Sequence, residues 1–143
     1  MIDLDSDVTL EVIWAGTPEL SDTNAASTVL ILRHGDVRML LTGDIPKSVE
    51  TRLVDSDVQL DADLLKAPHH GSDTSSSKAF LEAVDPSVIV IPVGERNPFG
   101  HPDEDVLARY ANVVPDAPVF VTKEHGDVTV ESDGTGLWVT TER

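Results

Sequence analysis

Three short apolar runs constrain the fold of this chain more than any other feature. Each run leads into a polar loop, and a segment of helical periodicity follows the loop. The runs lie at residues 38–42, 64–65 and 87–91. In the third, Ser87 is followed by a continuous run of Val and Ile, as expected of a strand that is covered on both faces. The helical segments begin near Pro46, Ser76 and Asp103. This order of elements predicts an α/β fold in layers, with a mixed sheet.

Two hairpins are predicted on either side of this central part. Residues 28–32 and 38–42 flank the turn sequence His34-Gly35-Asp36, and residues 119–122 and 128–130 flank His125-Gly126-Asp127. Residues 16–27 predict a polar loop. The chain has 143 residues and contains no repeat or linker, which is typical of one domain.

Composition excludes several function classes. The formal net charge is −16, and there are only four lysines. Broad electrostatic attraction to nucleic acid requires clustered cations, so this composition argues against it. Mutual repulsion of acidic groups is screened by salt, and such a surface is typical of salt-adapted proteins. Without cysteine there is no disulfide, and residues 1–5 lack the features of a signal peptide.

Polar clusters follow three of the predicted strands. They are Gly43-Asp44, His69-His70-Gly71-Ser72, and residues 97–102 with His101. The carboxyl ends of parallel strands lie along one sheet edge, where ligands bind in open α/β sheets. A carboxylate and neutral imidazoles are suitable ligands for Zn²⁺ or Mn²⁺. Each residue also has an interpretation without a metal. Asp44 can lie in a simple turn before the Pro46 helix, the histidine pair can lie in a solvated turn, and His101 can have a structural role.

Taken together and in this order, these residues resemble the metallo-β-lactamase superfamily. More narrowly, they resemble the C-terminal metallo-β-lactamase-like domain of ComEC-type competence proteins. The segments that carry the resemblance are Asn24-Ala25-Ala26-Ser27-Thr28-Val29-Leu30, Leu41-Thr42-Gly43-Asp44, Leu65-Lys66-Ala67-Pro68-His69-His70-Gly71-Ser72 and Phe99-Gly100-His101-Pro102.

The resemblance implies the second half of an αββα sandwich, with a mixed sheet, helices on one side and a metal site at one sheet edge. Asp44 matches the bridging aspartate of the superfamily, which has both a metal-binding and a catalytic role. The pair His69 and His70 matches its late histidine ligand, with His70 favoured. His101 resembles a further active-site residue, and Zn²⁺ or Mn²⁺ is the implied cofactor.

One departure limits what the resemblance implies. The first metal motif of the superfamily, H-x-H-x-D-H, does not occur among the five histidines of this chain. We therefore interpret residues 1–143 as a single partial domain whose N-terminal half lies elsewhere in a longer membrane protein. We expect the isolated chain to bind Zn²⁺ weakly or not at all, because structural and catalytic sites use three or four protein ligands. We also expect it to self-associate through the sheet face left exposed.

The first functional hypothesis is a fragment of a metal-dependent phosphodiesterase or nuclease domain from a DNA-internalisation protein, inactive when isolated. Its implied partners are single-stranded DNA, the missing N-terminal half and a membrane channel domain. Its implied location is the extracytoplasmic side of the plasma membrane, as a soluble domain. Two alternatives stay open: a non-catalytic interaction domain of the same membrane protein, and a soluble metallo-hydrolase with another phosphoester substrate.

Overall fold

A computed structural model describes residues 1–16 and 22–143. The strands in these residues are β1 (Ile2–Asp3), β2 (Val8–Ala15), β3 (Thr28–His34), β4 (Val37–Leu41), β5 (Leu64–Lys66), β6 (Val88–Ile91), β7 (Val119–Val121), β8 (Val128–Ser132) and β9 (Leu137–Thr141). The α-helices are α1 (Lys47–Val54), α2 (Lys78–Val84), α3 (Glu104–Val113) and α4 (Thr122–His125). Short 3-10 helices span Asn24–Ala26 and Pro68–Gly71.

Seven strands form one mixed sheet in sequence order, from β1 to β7. Strands β1 to β4 are antiparallel to their neighbours, and β4 to β7 are parallel. The predicted mixed α/β fold is therefore confirmed. Since the parallel strands follow one another in sequence order, right-handed crossovers place α1, α2 and α3 on the same face of the sheet.

A buried row of side chains crosses the sheet beneath these helices. Ile31, Leu40, Leu65 and Ile89 are register partners in adjacent strands, and each is at most 1% exposed. Residues one position away point to the opposite face, and the row Leu32, Met39, Leu64 and Val88 is buried less evenly. The helix-covered face therefore contains the core.

Hairpin β8–β9 forms a separate two-stranded sheet. Its turn reaches the β3–β4 turn, where the Asp36 amide donates to the Gly134 carbonyl at 2.7 Å. At the other end of the hairpin, the Arg143 amide donates to the carbonyl of His125 at 2.9 Å, next to β7. The hairpin is thus anchored at two distant points of the main sheet.

The first predicted hairpin is confirmed and the second is wrong. Residues 28–34 and 37–41 pair as β3 and β4. Residues 119–121 pair instead in parallel with β6, His125 ends the short helix α4, and β8 pairs with β9. Pairing with β6 is favoured over the local hairpin because β7 then covers the edge of the buried strand β6. The predicted polar loop lies in part outside the described residues, at 17–21.

The loop that follows the histidine pair is fixed from behind by a buried carboxylate. Glu50 in α1 is fully buried, and its side chain accepts hydrogen bonds from the amides of Ser76 and Ser77. Burial raises the pKa of Glu50 above its usual value, while the Ser77 and Ser76 hydrogen bonds oppose this shift. The Ser76 hydroxyl also pairs with the Tyr110 hydroxyl at 2.7 Å. Helices α1 and α3 therefore both hold the start of α2.

Replacing Glu50 with Ala is expected to destabilise the chain by about 2–6 kcal/mol. The substitution leaves two amides without their acceptor and creates a cavity, and each effect costs about 1–3 kcal/mol. Urea unfolding followed by circular dichroism measures the change.

Glu82→Ala in α2 is the matched control. Glu82 is exposed, and its carboxylate lies 3.4 Å from the ammonium group of Lys78, one turn away. Such pairs contribute about 0.5 kcal/mol or less. Equal destabilisation by the two substitutions would show that the Glu50 carboxylate does not hold this loop.

Candidate metal centre at the sheet edge

The carboxyl ends of four parallel strands meet at one edge of the sheet. Strand β4 leads to Asp44, and β5 leads to His69 and His70. The loop after β6 carries His101, and α4 directly after β7 carries Lys123. The three polar clusters predicted to converge therefore lie at one edge. Their roles as metal ligands and catalytic groups stay predictions.

Asp44 lies where the first of these strands ends. Its amide donates to the Ser27 hydroxyl at 3.1 Å, which positions the residue. One carboxylate oxygen, Oδ1, is 3.5 Å from Nε2 of His70 and 3.6 Å from Nζ of Lys66. The Asp44 side chain is 39% exposed, so the carboxylate is accessible to a ligand.

The His70 ring is oriented by a backbone carbonyl. Its Nδ1 lies 2.6 Å from the Pro92 oxygen. A carbonyl oxygen can only accept, so Nδ1 carries a proton. Nε2 faces Asp44, and in the neutral form of the ring this nitrogen carries the lone pair that binds a cation. Metal-binding histidines commonly have a backbone carbonyl on their other nitrogen in this way. His70 is therefore suited to bind a cation together with Asp44.

His69 is held by other polar side chains. Its Nδ1 lies 3.2 Å from the Thr74 hydroxyl, and its Nε2 lies 3.4 Å from the Asn24 amide nitrogen. Both ring nitrogens thus have partners. His69 and His70 adopt left-handed backbone conformations, with φ of 50° and 54°. This conformation costs a non-glycine residue about 1–2 kcal/mol, and such strain concentrates at functional sites.

His101 closes the other side of the cluster. Its ring lies edge-on to His69, with centroids 5.7 Å apart, and stacks on Phe99. Burial, followed by the proximity of His69 and His70, lowers the pKa of His101 below its ordinary value. Its carbonyl accepts from the Asn97 side chain at 2.6 Å and from Lys123 at 3.2 Å. The loop that carries His101 is therefore held to α4, which directly follows β7.

Sequence reasoning assigned no role to Lys66, which lies inside the matched segment. Its Nζ donates to the Gly43 carbonyl at 2.7 Å, and the same oxygen accepts from the His69 amide at 3.2 Å. Burial lowers the pKa of Lys66, and Asp44 opposes this shift. Lys66 thus connects the loops after β4 and β5. A lysine at the end of a buried apolar strand was the signal that could have identified it.

The donor set fits a metal ion only in part. Asp44 and His70 offer two donors that face each other. Over residues 1–16 and 22–143, no group of three or more His, Cys, Asp or Glu side chains is arranged to hold a metal ion. A complete zinc site normally has three or four protein ligands.

Comparison with known proteins relates the chain to competence proteins. It is 32% identical over 101 residues to ComE operon protein 3 of Bacillus subtilis (strain 168). The 101 aligned residues are 71% of this chain and 13% of that protein. It is 40% identical over 89 residues to Competence protein ComA of Neisseria gonorrhoeae. These 89 residues are 62% of this chain and 13% of that protein. The chain is therefore homologous to part of proteins that are named for competence.

Two further findings define how far this homology reaches. Recombination protein 2 of Haemophilus influenzae is 35% identical over 86 residues, which are 60% of this chain and 11% of that protein. The chain thus spans only a small part of the length of these relatives. No model of a known protein family matches it. Among its described helices, none has the length and apolar character needed to cross a membrane.

Gly71→Ala is expected to destabilise the chain by about 2–5 kcal/mol. Gly71 has φ of +79°, and an added Cβ would lie 2.7 Å from Cβ of Pro102, next to His101. The left-handed conformation costs about 1–2 kcal/mol, and overpacking adds about 1–3 kcal/mol. Urea unfolding measures the loss.

Gly94→Ala provides the control in the neighbouring loop. No atom lies within 4 Å of a Cβ added there. We expect a change of about 1 kcal/mol or less in either direction. If Gly71→Ala were equally mild, close packing between the histidine turn and the His101 loop would be refuted.

Proposed function

We propose that this chain is part of a metal-dependent phosphodiesterase domain of a DNA-uptake protein. The observation that carries the proposal is the approach of the Asp44 carboxylate to Nε2 of His70, at 3.5 Å, with the other His70 nitrogen on the Pro92 carbonyl. An acid and an oriented imidazole at the carboxyl ends of parallel strands form the start of a metal site. Homology to competence proteins supports the biological setting.

In this proposal Asp44 and His70 hold Zn²⁺ or Mn²⁺, with His69 beside them. A divalent ion held there supplies Lewis-acid activation of water and of the phosphoryl group. The remaining ligands come from residues outside this chain, in an N-terminal half of a metallo-β-lactamase-like sandwich. The isolated chain is accordingly inactive and binds Zn²⁺ weakly or not at all.

His101 has the position of a proton donor in this scheme. Its ring adjoins His69 at the same rim, and the hydrogen bonds to its carbonyl fix the backbone. An imidazole so placed can stabilise the departing oxygen of a phosphodiester through its ring N–H, or protonate it from the charged form. The lowered pKa of His101 favours the first of these roles near neutral pH. The ammonium group of Lys66 lies 3.6 Å from Oδ1 of Asp44 and so helps to orient that carboxylate.

The proposed substrate is single-stranded DNA, and the proposed partners are the missing N-terminal half and a membrane channel domain. The acidic composition opposes DNA over the surface as a whole. Binding therefore depends on the local site at the sheet edge. In the parent protein this domain lies outside the cytoplasm, next to the plasma membrane, and a second copy of the isolated chain can occupy the open sheet face.

A second candidate is a non-catalytic interaction domain. The observation that favours it is Lys66, whose ammonium group already lies 3.6 Å from Asp44 and 2.7 Å from the Gly43 carbonyl. This internal cation can neutralise Asp44 in place of a metal. The coding sequence upstream of residue 1 distinguishes the two candidate functions. Apolar spans together with H-x-H-x-D-H favour the nuclease, and apolar spans without that motif favour the interaction domain.

In the longer protein that contains this domain, Asp44→Ala is expected to lower Mn²⁺- or Zn²⁺-dependent cleavage of single-stranded DNA about 100-fold or more. Metal activation is worth several kcal/mol of transition-state stabilisation, and about 1.4 kcal/mol corresponds to tenfold in rate. Product formation from an end-labelled oligonucleotide is the measurement.

Asp57→Ala removes an equally charged but exposed carboxylate in the segment after α1 and should leave cleavage unchanged. Equal rates for wild type and Asp44→Ala would refute the metal role of Asp44. Calorimetry of the isolated chain with Zn²⁺ is a separate check, and micromolar or tighter binding would contradict the proposed need for outside ligands.

A further inference from the structure

A cavity of about 240 Å³ opens next to the candidate metal centre. His70 and His101 form the side that it shares with that centre, and the segment after β6 and the loop carrying Phe99 form the rest. No lysine or arginine lines it, and most of its surface is apolar. The cavity therefore suits an uncharged group with apolar faces. This group would be one part of a ligand whose other part contacts Asp44 and His70.

Phe99 lies at the rim of this cavity, and 79% of its surface is exposed. Its ring is nearly parallel to that of His101, with an interplanar angle of 15° and centroids 6.0 Å apart. Of the large hydrophobic residues that the structure describes, it is among the most exposed. An apolar ring held open to solvent has a free face on which a second flat ring can stack.

Hydrogen bonds hold the Phe99 loop in this conformation. The Asn97 side chain accepts from the Phe99 amide at 3.0 Å and donates to the His101 carbonyl at 2.6 Å. Lys123 donates to that same carbonyl at 3.2 Å. Asn97 thus closes the turn with both ends of its amide, so the ring needs little reordering when a ligand binds.

We propose that this cavity is a nucleobase subsite, in which an unpaired base of a single strand stacks on Phe99. The proposal deepens the proposed function and rests on it for the identity of the substrate. A base has flat apolar faces that match the exposed face of the Phe99 ring. Aromatic stacking accepts every base, so this subsite selects unpaired strands without selecting sequence.

The subsite also gives a strongly acidic chain a way to bind a single strand without a basic surface. With a net charge of −16, attraction to phosphates cannot supply the affinity that basic proteins obtain from counterion release. Stacking does not depend on salt in that way. A base held beside His70 and His101 places the adjoining phosphodiester next to Asp44.

The test compares two fluorescent probes on the 143-residue chain in EDTA: an eight-nucleotide oligothymidylate, and an abasic deoxyribose phosphate chain of the same length. Anisotropy is measured in about 0.5 M sodium chloride, which screens charges beyond roughly 4 Å. We expect the abasic probe to bind at least about tenfold more weakly. Phe99→Ala should weaken oligothymidylate binding about tenfold or more, as expected for loss of one stacked base, and leave the abasic probe unaffected.

Two variants complete the design. Phe99→Tyr keeps the ring and should retain wild-type affinity. Trp138→Ala removes another exposed aromatic residue, 52% exposed on β9, and should change neither probe. Because Phe99 is largely exposed, Phe99→Ala should unfold in urea as wild type does, so a loss of affinity reports on the subsite itself.

The proposal is overturned if neither probe binds, if both bind equally, or if Phe99→Ala binds oligothymidylate as wild type does. Stronger binding of a tyrosine-containing peptide than of the oligonucleotide would also overturn it. Since EDTA removes metal, these outcomes are independent of cleavage. Binding that depends on Phe99 in a longer protein without nuclease activity would leave the subsite standing and refute only the phosphodiesterase.

Discussion

The parallel pairing of β4 to β7 is the constraint on which the rest of the structure depends. The row formed by Ile31, Leu40, Leu65 and Ile89 is buried beneath the helices and fixes the register of adjacent strands. A shift of one residue in any strand would turn its apolar side chains away from the core. Because the register is fixed, the loops after these strands emerge side by side at one edge.

The same edge concentrates strain and polar contacts. The consecutive residues His69 and His70 have left-handed backbones. Thr74, Asn24 and the Gly43 carbonyl are hydrogen-bond partners of His69, and the Pro92 carbonyl is the partner of His70. Behind them, Glu50 and Tyr110 hold the next turn. The core thus supports a conformation that the local sequence would not adopt alone. Such support makes the direction of the His70 ring a property of the whole fold.

Charge at this edge is balanced locally. Lys66 and His70 approach one oxygen of Asp44 from two sides, and Lys123 caps the carbonyl of His101. Elsewhere the chain is strongly acidic. An acidic surface with a neutral, partly aromatic cavity at the sheet edge favours recognition by stacking and by specific polar contacts over recognition by net charge.

Local patterns in the sequence were sufficient for elements whose partners are close along the chain. The hairpin of β3 and β4 follows from its turn residues. Helices α2 and α3 begin close to their predicted starts near Ser76 and Asp103, and the observed caps are Ser77 and Asp103, whose side chains accept hydrogen bonds from first-turn amides. The same reasoning gave a wrong partner for β7, because His125-Gly126-Asp127 resembles a hairpin turn. Its true partner, β6, is about thirty residues earlier, and no local signal identifies a parallel partner at that distance.

The sequence by itself determined which residues could form the site, since strand ends and a shared sheet edge follow from periodicity and the order of elements. Only the tertiary structure decided which nitrogen of His70 faces Asp44, that Lys66 and Lys123 join the cluster, and that Phe99 stands open beside it. The physical reason is that ring direction and exposure depend on contacts between segments far apart in sequence. A one-dimensional pattern contains the residues of those contacts but not their geometry.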